Sequence, residues 1–312
     1  SMENARISIV VPIFNEQENI ETLYESISSV CKSNTYRYEI LFVDDGSGDD
    51  SLSIMHRIAD SDSSFRFLAL SRNYGQTAAI AAGLDHAQGD YVITMDGDLQ
   101  NDPEDIPKLI TKCKEGYDLV NGWRRRRKDP FFSVKFPSMI ANMIIRKVTS
   151  VKIHDTGCTM KIFRKDILDD LHLYGEMHRF IPALLHWSGA KIGEVEVNHR
   201  PRTHGDSKYT FGKLFRVILD ILNIKFLISY STRPMHIFGK IGMYSFFLSF
   251  LSFCALVGMK LYRGVDMTGN PFLMLTVFLG FLGIQFVSTG FLAEINIRIY
   301  HETTKKKIYK IK

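Results

Sequence analysis

The chain has 312 residues, 45% of them hydrophobic and 23% charged, enough for a sizeable core and for one to three domains. Its net charge of +5 is only mildly basic and no nucleic-acid-binding motif is present, which excludes DNA or RNA as the expected partner. Cys31, Cys113, Cys158 and Cys254 are scattered without metal or disulfide spacing, which points to a reducing compartment.

The first 205 or so residues alternate strand and helix patterns. Short apolar runs at Ile7 to Val11, Ile40 to Val43, Phe65 to Leu70, Tyr91 to Met95 and Leu119 to Asn121 suit buried parallel strands, with helical patterns such as Gln17 to Cys31 and Ser51 to Ala59 between them. No signal peptide is expected, because the chain opens directly into the first strand. Ligands of an open α/β sheet bind beyond the carboxyl ends of its strands, and the polar residues collect there. Strand one runs into Pro12-Ile13-Phe14-Asn15-Glu16, strand two into Asp44-Asp45-Gly46-Ser47, and strand three into Ser71-Arg72-Asn73-Tyr74-Gly75-Gln76.

Strand four ends in Met95-Asp96-Gly97-Asp98-Leu99-Gln100, before a helix-like stretch starting near Pro103. Two carboxylates two residues apart on extended backbone point to the same side and suit a hard divalent cation, which completes its shell with phosphate and water. A solvated turn is the bland alternative, since Asp and Gly both favour turns. Neither a dinucleotide glycine motif nor a Walker A loop follows strand one, so metal and arginine are expected to hold phosphate instead. Of Arg124 to Arg127 after strand five, Arg124 lies nearest the strand end and is assigned to the diphosphate, the others to solvent or lipid headgroups. His154, His199 and His204 do not form a zinc set, and Trp123 and Trp187 read as packing or interfacial residues.

Beyond residue 208 the apolar density rises. Residues 209–232 contain Leu214, Phe215, Ile218, Leu219, Leu222 and Phe226 at helical spacing, which fits either an amphipathic interfacial helix or a helix packed on the first domain. In 233–300, Ile241 to Met259 and Phe272 to Ala293 carry one charge-free run each, long enough to span a hydrocarbon core as a hairpin. The tail 301–312 is lysine-rich and, by the positive-inside rule, cytoplasmic, which places residues 1–208 on the same side. Gly280, Gly283 and Gly290 serve either hairpin packing or a homo-oligomer.

Taken together, Val11 to Glu16, Val43 to Ser47, Met95 to Gln100, Asp155-Thr156-Gly157-Cys158 and Arg202 to Tyr209 resemble the motifs of the inverting family-2 glycosyltransferases of GT-A fold. The narrower resemblance is to the polyprenyl-phosphate glycosyltransferases, the group of dolichol-phosphate mannose synthase and bactoprenol glucosyltransferase. It covers nearly the whole chain. It implies a Rossmann-like GT-A domain, interfacial helices and a two-helix transmembrane hairpin in the inner membrane, with a nucleotide-sugar donor, a polyprenyl-phosphate acceptor and the lipid bilayer as partners. The bactoprenol branch implies glucose from UDP-glucose.

By the same resemblance Pro12, Glu16, Asp44 and Asp45 border the nucleoside, with Asn73 and Gln76 near it. Asp96, Asp98 and Gln100 surround Mg²⁺ or Mn²⁺, and Asp155 is the acceptor-side acid, as a base or as a positioning group. Arg202, Ser207 and Lys208 belong to a loop over the phosphates, and Arg146, Lys147 and Arg200 extend a basic rim for the acceptor. The Gln-x-x-Arg-Trp element of polysaccharide synthases is absent, which disfavours processive polymerisation. Transfer to another lipid or polysaccharide, and a non-catalytic nucleotide-sugar-binding scaffold, are the alternative readings.

Overall fold

The structure is a computed structural model that describes residues 5–125, 143, 146, 151, 153–168, 177–200 and 235–303, with side chains described up to residue 296. It divides into two compact units, with the division at Leu222/Asn223.

The first unit is built on strands β1 (Arg6–Ile13), β2 (Arg37–Asp44), β3 (Phe65–Ala69), β4 (Tyr91–Thr94), β5 (Leu119–Trp123), β6 (Lys161–Arg164) and β7 (Ile192–Glu196), in the order β3-β2-β1-β4-β6-β5-β7. Between them run α1 (Ile20–Ser33), α2 (Ser51–Ser61), α3 (Gln76–His86), α4 (Ile106–Lys114) and α5 (Ile181–Trp187). α1 buries Ile20, Leu23, Ile27, Val30 and Cys31, a helical-period stripe facing the sheet. α4 is led in by a 3₁₀ turn, Pro103–Asp105, where the Asp102 side chain accepts from Glu104 N at 3.2 Å and Pro103 occupies the first helical position, the expected entry signal. Ile9, Ile13, Ile40, Phe42, Ile93 and Ile162 are fully buried and form the core, each contributing about 1.5–3 kcal/mol of apolar burial.

β3, β2, β1 and β4 are mutually parallel, and Ile13 pairs with Asp44, which pairs with Ala69. The carboxyl ends of β1, β2 and β3 therefore finish level, while β4 stops beside Val10 of β1, and the polar loops after the four strands leave from the same end of the sheet. The five strands expected from the apolar runs all run in one direction, and the sheet is mixed only through a strand those runs did not include: β6 is antiparallel to both β4 and β5. Because it opposes both neighbours, β5 still runs in the direction of β4 and delivers Arg124 to the same edge. The expectation of extended backbone for the acidic pair is corrected. β4 ends at Thr94, and Asp96 to Gln100 form a bent loop in which Leu99 has φ +61°, a conformation that non-glycine residues seldom adopt.

The second unit contains α6 (Met235–Arg263) and α7 (Pro271–Thr303), two antiparallel helices long and apolar enough to cross a membrane. A Cβ at Gly242 would lie 2.8 Å from Val287 Cγ2, one at Gly283 2.9 Å from the Phe246 ring, and one at Gly290 2.8 Å from Met235 Sδ. These glycines are used to bring the two helices together. Ser249 Oγ donates to Thr276 O (2.7 Å) and Ser252 Oγ to Phe272 O (3.0 Å), which satisfies hydroxyls inside the apolar pair. Phe247, Phe250, Phe278 and Phe281 stay exposed on the outer faces. All four cysteines are free thiols. Residues 209–232 and the lysine tail from 304 lie outside the described residues.

Candidate active site

The loops after β1 and β2 are tied to each other. Asn15 N donates to Ser47 Oγ (3.0 Å), Gly48 N to Asn15 Oδ1 (2.8 Å) and Glu16 N to Ser51 Oγ (3.1 Å). Asp44 and Asp45 are both buried, at 3% exposure each. Asp44 Oδ1 accepts from Ser47 N (3.2 Å), while Asp45 Oδ1 and Oδ2 accept from Tyr74 N (2.7 Å) and Gly75 N (2.9 Å). Asp45 thus braces the loop after β3. Burial and then the neighbouring Asp44 raise its proton affinity, and the two amides offset part of that. Gly46 has φ +71°, and a Cβ there would lie 2.5 Å from the Arg72 carbonyl carbon, so only glycine fits where the two loops meet. Pro12 and Glu16 are half-buried on this edge, and Asn73 is exposed beside it.

Gln76 Nε2 donates to Asp96 Oδ1 (2.8 Å) and Thr159 Oγ1 to Asp96 Oδ2 (2.6 Å). Asp96 N donates to Asn101 Oδ1 (2.7 Å), and Gln100 N to Asp98 Oδ1 (3.1 Å). Both Asp96 oxygens are thus aimed, yet each keeps a lone pair for a further ligand. Burial and then Asp98 push the Asp96 pKa up. Two half-buried carboxylates in mutual repulsion are the donor set that a hard cation relieves. Among the described residues no group of three or more His, Cys, Asp or Glu side chains could hold a metal. A pair of aspartates fits a cation whose other ligands are phosphate and water. Asp96, Asp98 and the adjacent Gln100 would hold it.

Arg124 and Asp155 form a bidentate ion pair. Arg124 Nε donates to Asp155 Oδ2 (2.7 Å) and Nη2 to Oδ1 (3.0 Å), with side-chain exposures of 10% and 7%. Asn121 Nδ2 holds the Asp155 carbonyl at 2.8 Å, and Asp155 N donates to Glu194 Oε1 at 3.3 Å. Trp123 stacks on His154 with centroids 4.4 Å apart, and His154 Nδ1 is 2.7 Å from Glu194 Oε2, so this tryptophan packs as expected.

Past β7 the chain crosses back to the acidic loop. Asn101 and His199 form an isolated β-bridge, Arg200 N donates to Gln100 O (2.9 Å), and Arg200 Nη2 to Asp102 Oδ1 (2.7 Å). Arg146 is exposed. Arg202, Ser207 and Lys208 lie outside the described residues, as does Lys147.

Three residues in this constellation escape the sequence reading: Thr159, Asn101 and Asn121. Thr159 directly follows the Asp155 to Cys158 motif and Asn101 directly follows Gln100, so proximity to motifs was the available signal for these two.

Residues 8–172, just over half the chain, match the family model "Glycosyl transferase family 2", and the chain belongs to that family of transferases. The chain is 42% identical over 304 residues to a dodecaprenyl-phosphate galacturonate synthase of Rhizobium johnstonii, covering 96% of this chain and 90% of the relative. It is 36% identical over 306 residues to an undecaprenyl-phosphate 4-deoxy-4-formamido-L-arabinose transferase of Serratia proteamaculans, covering 97% and 92%. The sheet unit shares the GT-A fold of glucosyl-3-phosphoglycerate synthase from Mycobacterium tuberculosis, solved in complex with Mn²⁺, UDP and phosphoglyceric acid. That likeness has a TM-score of 0.56 at 19% identity over 71% of this chain and 78% of the other.

Proposed function

We propose that this chain is a membrane-bound inverting glycosyltransferase that moves a sugar from a nucleotide diphosphate onto a polyprenyl phosphate. The observation that carries this reading is the alignment over 96% of the chain with a relative named for sugar transfer to dodecaprenyl phosphate. An alignment of that extent takes in most of the two-helix hairpin as well as the sheet.

The nucleoside is assigned to Pro12, Glu16, Asp44 and Asp45, with Asn73 and Gln76 beside it. A divalent cation, Mg²⁺ or Mn²⁺, held by Asp96, Asp98 and Gln100 would supply positive charge at the departing diphosphate. The acceptor oxygen is already anionic near neutral pH. The bond from that oxygen to the anomeric carbon forms as the bond to the β-phosphate breaks, and the electron pair leaves with the diphosphate. No proton has to be removed. With both Asp155 oxygens engaged by Arg124, Asp155 acts by aiming the guanidinium and not as a base. Arg124 neutralises phosphate charge where the two anions meet. Arg146, Arg202, Ser207 and Lys208 complete the acceptor side.

The hairpin holds the reaction at the bilayer, where the acceptor phosphate presents itself, which raises effective concentration. The lysine tail assigns the sheet unit to the cytoplasmic side of the inner membrane. The packing of Gly283 and Gly290 within the hairpin supports hairpin use of these glycines over a homo-oligomer seam.

Glucose from UDP-glucose is the first donor to test. A second reading, a uronic acid donor, is favoured by the galacturonate named for the 42% identical relative. Purified protein is given undecaprenyl phosphate with UDP-glucose, UDP-galacturonate or UDP-formamidoarabinose, and the lipid product is weighed by mass spectrometry. A glucose-bearing product supports the first reading, and a uronate-bearing product replaces it with the second.

A further inference from the structure

The chain leaving β7 is strapped along the loop that follows β4. Asn101 and His199 form an isolated β-bridge, and Arg200 N donates to Gln100 O at 2.9 Å. Two acids just beyond that loop anchor the same stretch. Asn198 N donates to Asp105 Oδ2 (2.6 Å), and Arg200 Nη2 to Asp102 Oδ1 (2.7 Å). The Asp105 side chain is fully buried and that of Asp102 is 11% exposed, while Arg200 is 50% exposed.

The strap grips the two residues that shape the acidic pair. Gln100 gives its carbonyl to the Arg200 amide and its own amide to Asp98 Oδ1 (3.1 Å). Asn101 is 2% exposed, bridges to His199 through its backbone and accepts from Asp96 N on its Oδ1 (2.7 Å). Leu99, between Asp98 and Gln100, holds φ +61°, a conformation that persists only where the surroundings over-determine it. A half-exposed ion pair contributes little to global stability. Placed beside Gln100 O and the Asn101 bridge, this one acts on the setting of Asp96 and Asp98.

We propose that Arg200 is a positioning residue of the donor side. Paired with Asp102, it holds the 197–200 strap on the acidic loop, and through Gln100 and Asn101 it fixes Asp98 and Asp96 in the arrangement that takes the divalent ion. This rests on the reading of Asp96 and Asp98 as metal ligands. It moves Arg200 off the acceptor rim expected from the sequence and onto the donor site.

The test uses the full chain in detergent. Mn²⁺ binding at pH 7 is read by electron paramagnetic resonance, and undecaprenyl phosphate binding by native mass spectrometry. Arg200→Gln is expected to bind Mn²⁺ about fivefold more weakly and undecaprenyl phosphate as the parent does. A cation acting on the ion by charge alone predicts the opposite sign, because its removal relieves repulsion and tightens Mn²⁺. An acceptor rim predicts weaker lipid binding with Mn²⁺ unmoved. Unchanged or tighter Mn²⁺ binding by folded Arg200→Gln overturns the proposal. Arg200→Lys keeps a cation for Asp102 and is expected to stay within about twofold of the parent. The double variant Asp102→Asn with Arg200→Gln should bind Mn²⁺ no more weakly than Asp102→Asn alone, since both changes break one contact, and additive losses overturn that shared role.

Should Arg200→Gln not fold, the unmodified protein decides. Amide hydrogen exchange across residues 197–200 is followed by mass spectrometry with and without saturating Mg²⁺ and UDP. A strap that favours the ion-binding arrangement must in turn be favoured by the ion, so its amides should exchange more slowly when Mg²⁺ and UDP are bound. Unmoved exchange overturns the proposal. An unmodified protein that binds no Mn²⁺ at all refutes the metal reading itself, a different result from bound metal that ignores Arg200.

Discussion

Arg124 and Asp155 meet through two parallel hydrogen bonds of 2.7 and 3.0 Å, one residue from the end of β5 and the other from a loop 31 positions later. The pair fixes a planar guanidinium at the sheet edge where the acidic loop also ends. Asp155→Asn would leave a buried cation without its counter-charge, at a cost of about 3–5 kcal/mol. Reduced thermal stability together with loss of transfer is expected, and Arg124→Lys, which keeps charge but not the fork, should lose transfer with a smaller drop in melting temperature. A double-mutant cycle on melting temperature and rate checks both. Additive effects would show that the two side chains act separately.

Asp98→Asn removes one of the two carboxylates at the end of β4. Transfer is expected to fall by about a thousandfold or more, and chelation of divalent ions should silence the parent enzyme. Radiolabelled donor turnover measures both. Full turnover of Asp98→Asn in excess chelator contradicts the metal role.

Gly46→Ala places a methyl 2.5 Å from the Arg72 carbonyl carbon in a left-handed backbone conformation. A stability loss of about 1–3 kcal/mol is expected from the strained backbone. The displaced loops after β2 and β3 should raise KM for the donor more than they lower kcat. Steady-state kinetics over a donor series checks this, and an unchanged KM would remove these loops from the nucleoside site.

His178 is buried with Nδ1 2.7 Å from Thr77 Oγ1, and burial, followed by Arg179 and Lys161, pushes its pKa down to about 3. The unfolded chain regains a proton near the ordinary value of about 6.5, so between about 6.5 and 3 the unfolded state binds more protons. Stability therefore falls as pH drops through that window, by roughly 4 kcal/mol at its lower end. His178→Gln should flatten the dependence of melting temperature on pH between 6.5 and 3. An equally steep dependence in the variant would assign acid sensitivity to other groups.

Much of this architecture is legible in the residues because it rests on local signals. The five apolar runs became strands since β-rich buried segments need no distant information, and the two charge-free stretches became helices for the same reason. β6 and β7 were missed because Lys161-Ile162-Phe163-Arg164 and Ile192-Gly193-Glu194-Val195-Glu196 are short and interrupted by charge or glycine. Their strand character comes from pairing, which is tertiary. The bend at Asp96 to Gln100 was missed because it is imposed by Asn101 and Thr159, one of them 63 positions from Asp96. Arg124 was placed on phosphate, and its partner Asp155 was placed on the acceptor. That the two occupy each other is a contact no spacing in the chain discloses.

The most direct measurement is mass spectrometry of the lipid fraction after incubating purified protein, Mg²⁺ or Mn²⁺, a nucleotide-sugar panel and undecaprenyl phosphate. A polyprenyl-phosphate sugar that forms with one donor and disappears in Asp98→Asn is the predicted result. Sugar recovered only on a polysaccharide or another lipid, or donor bound with no lipid product from any pair, contradicts it.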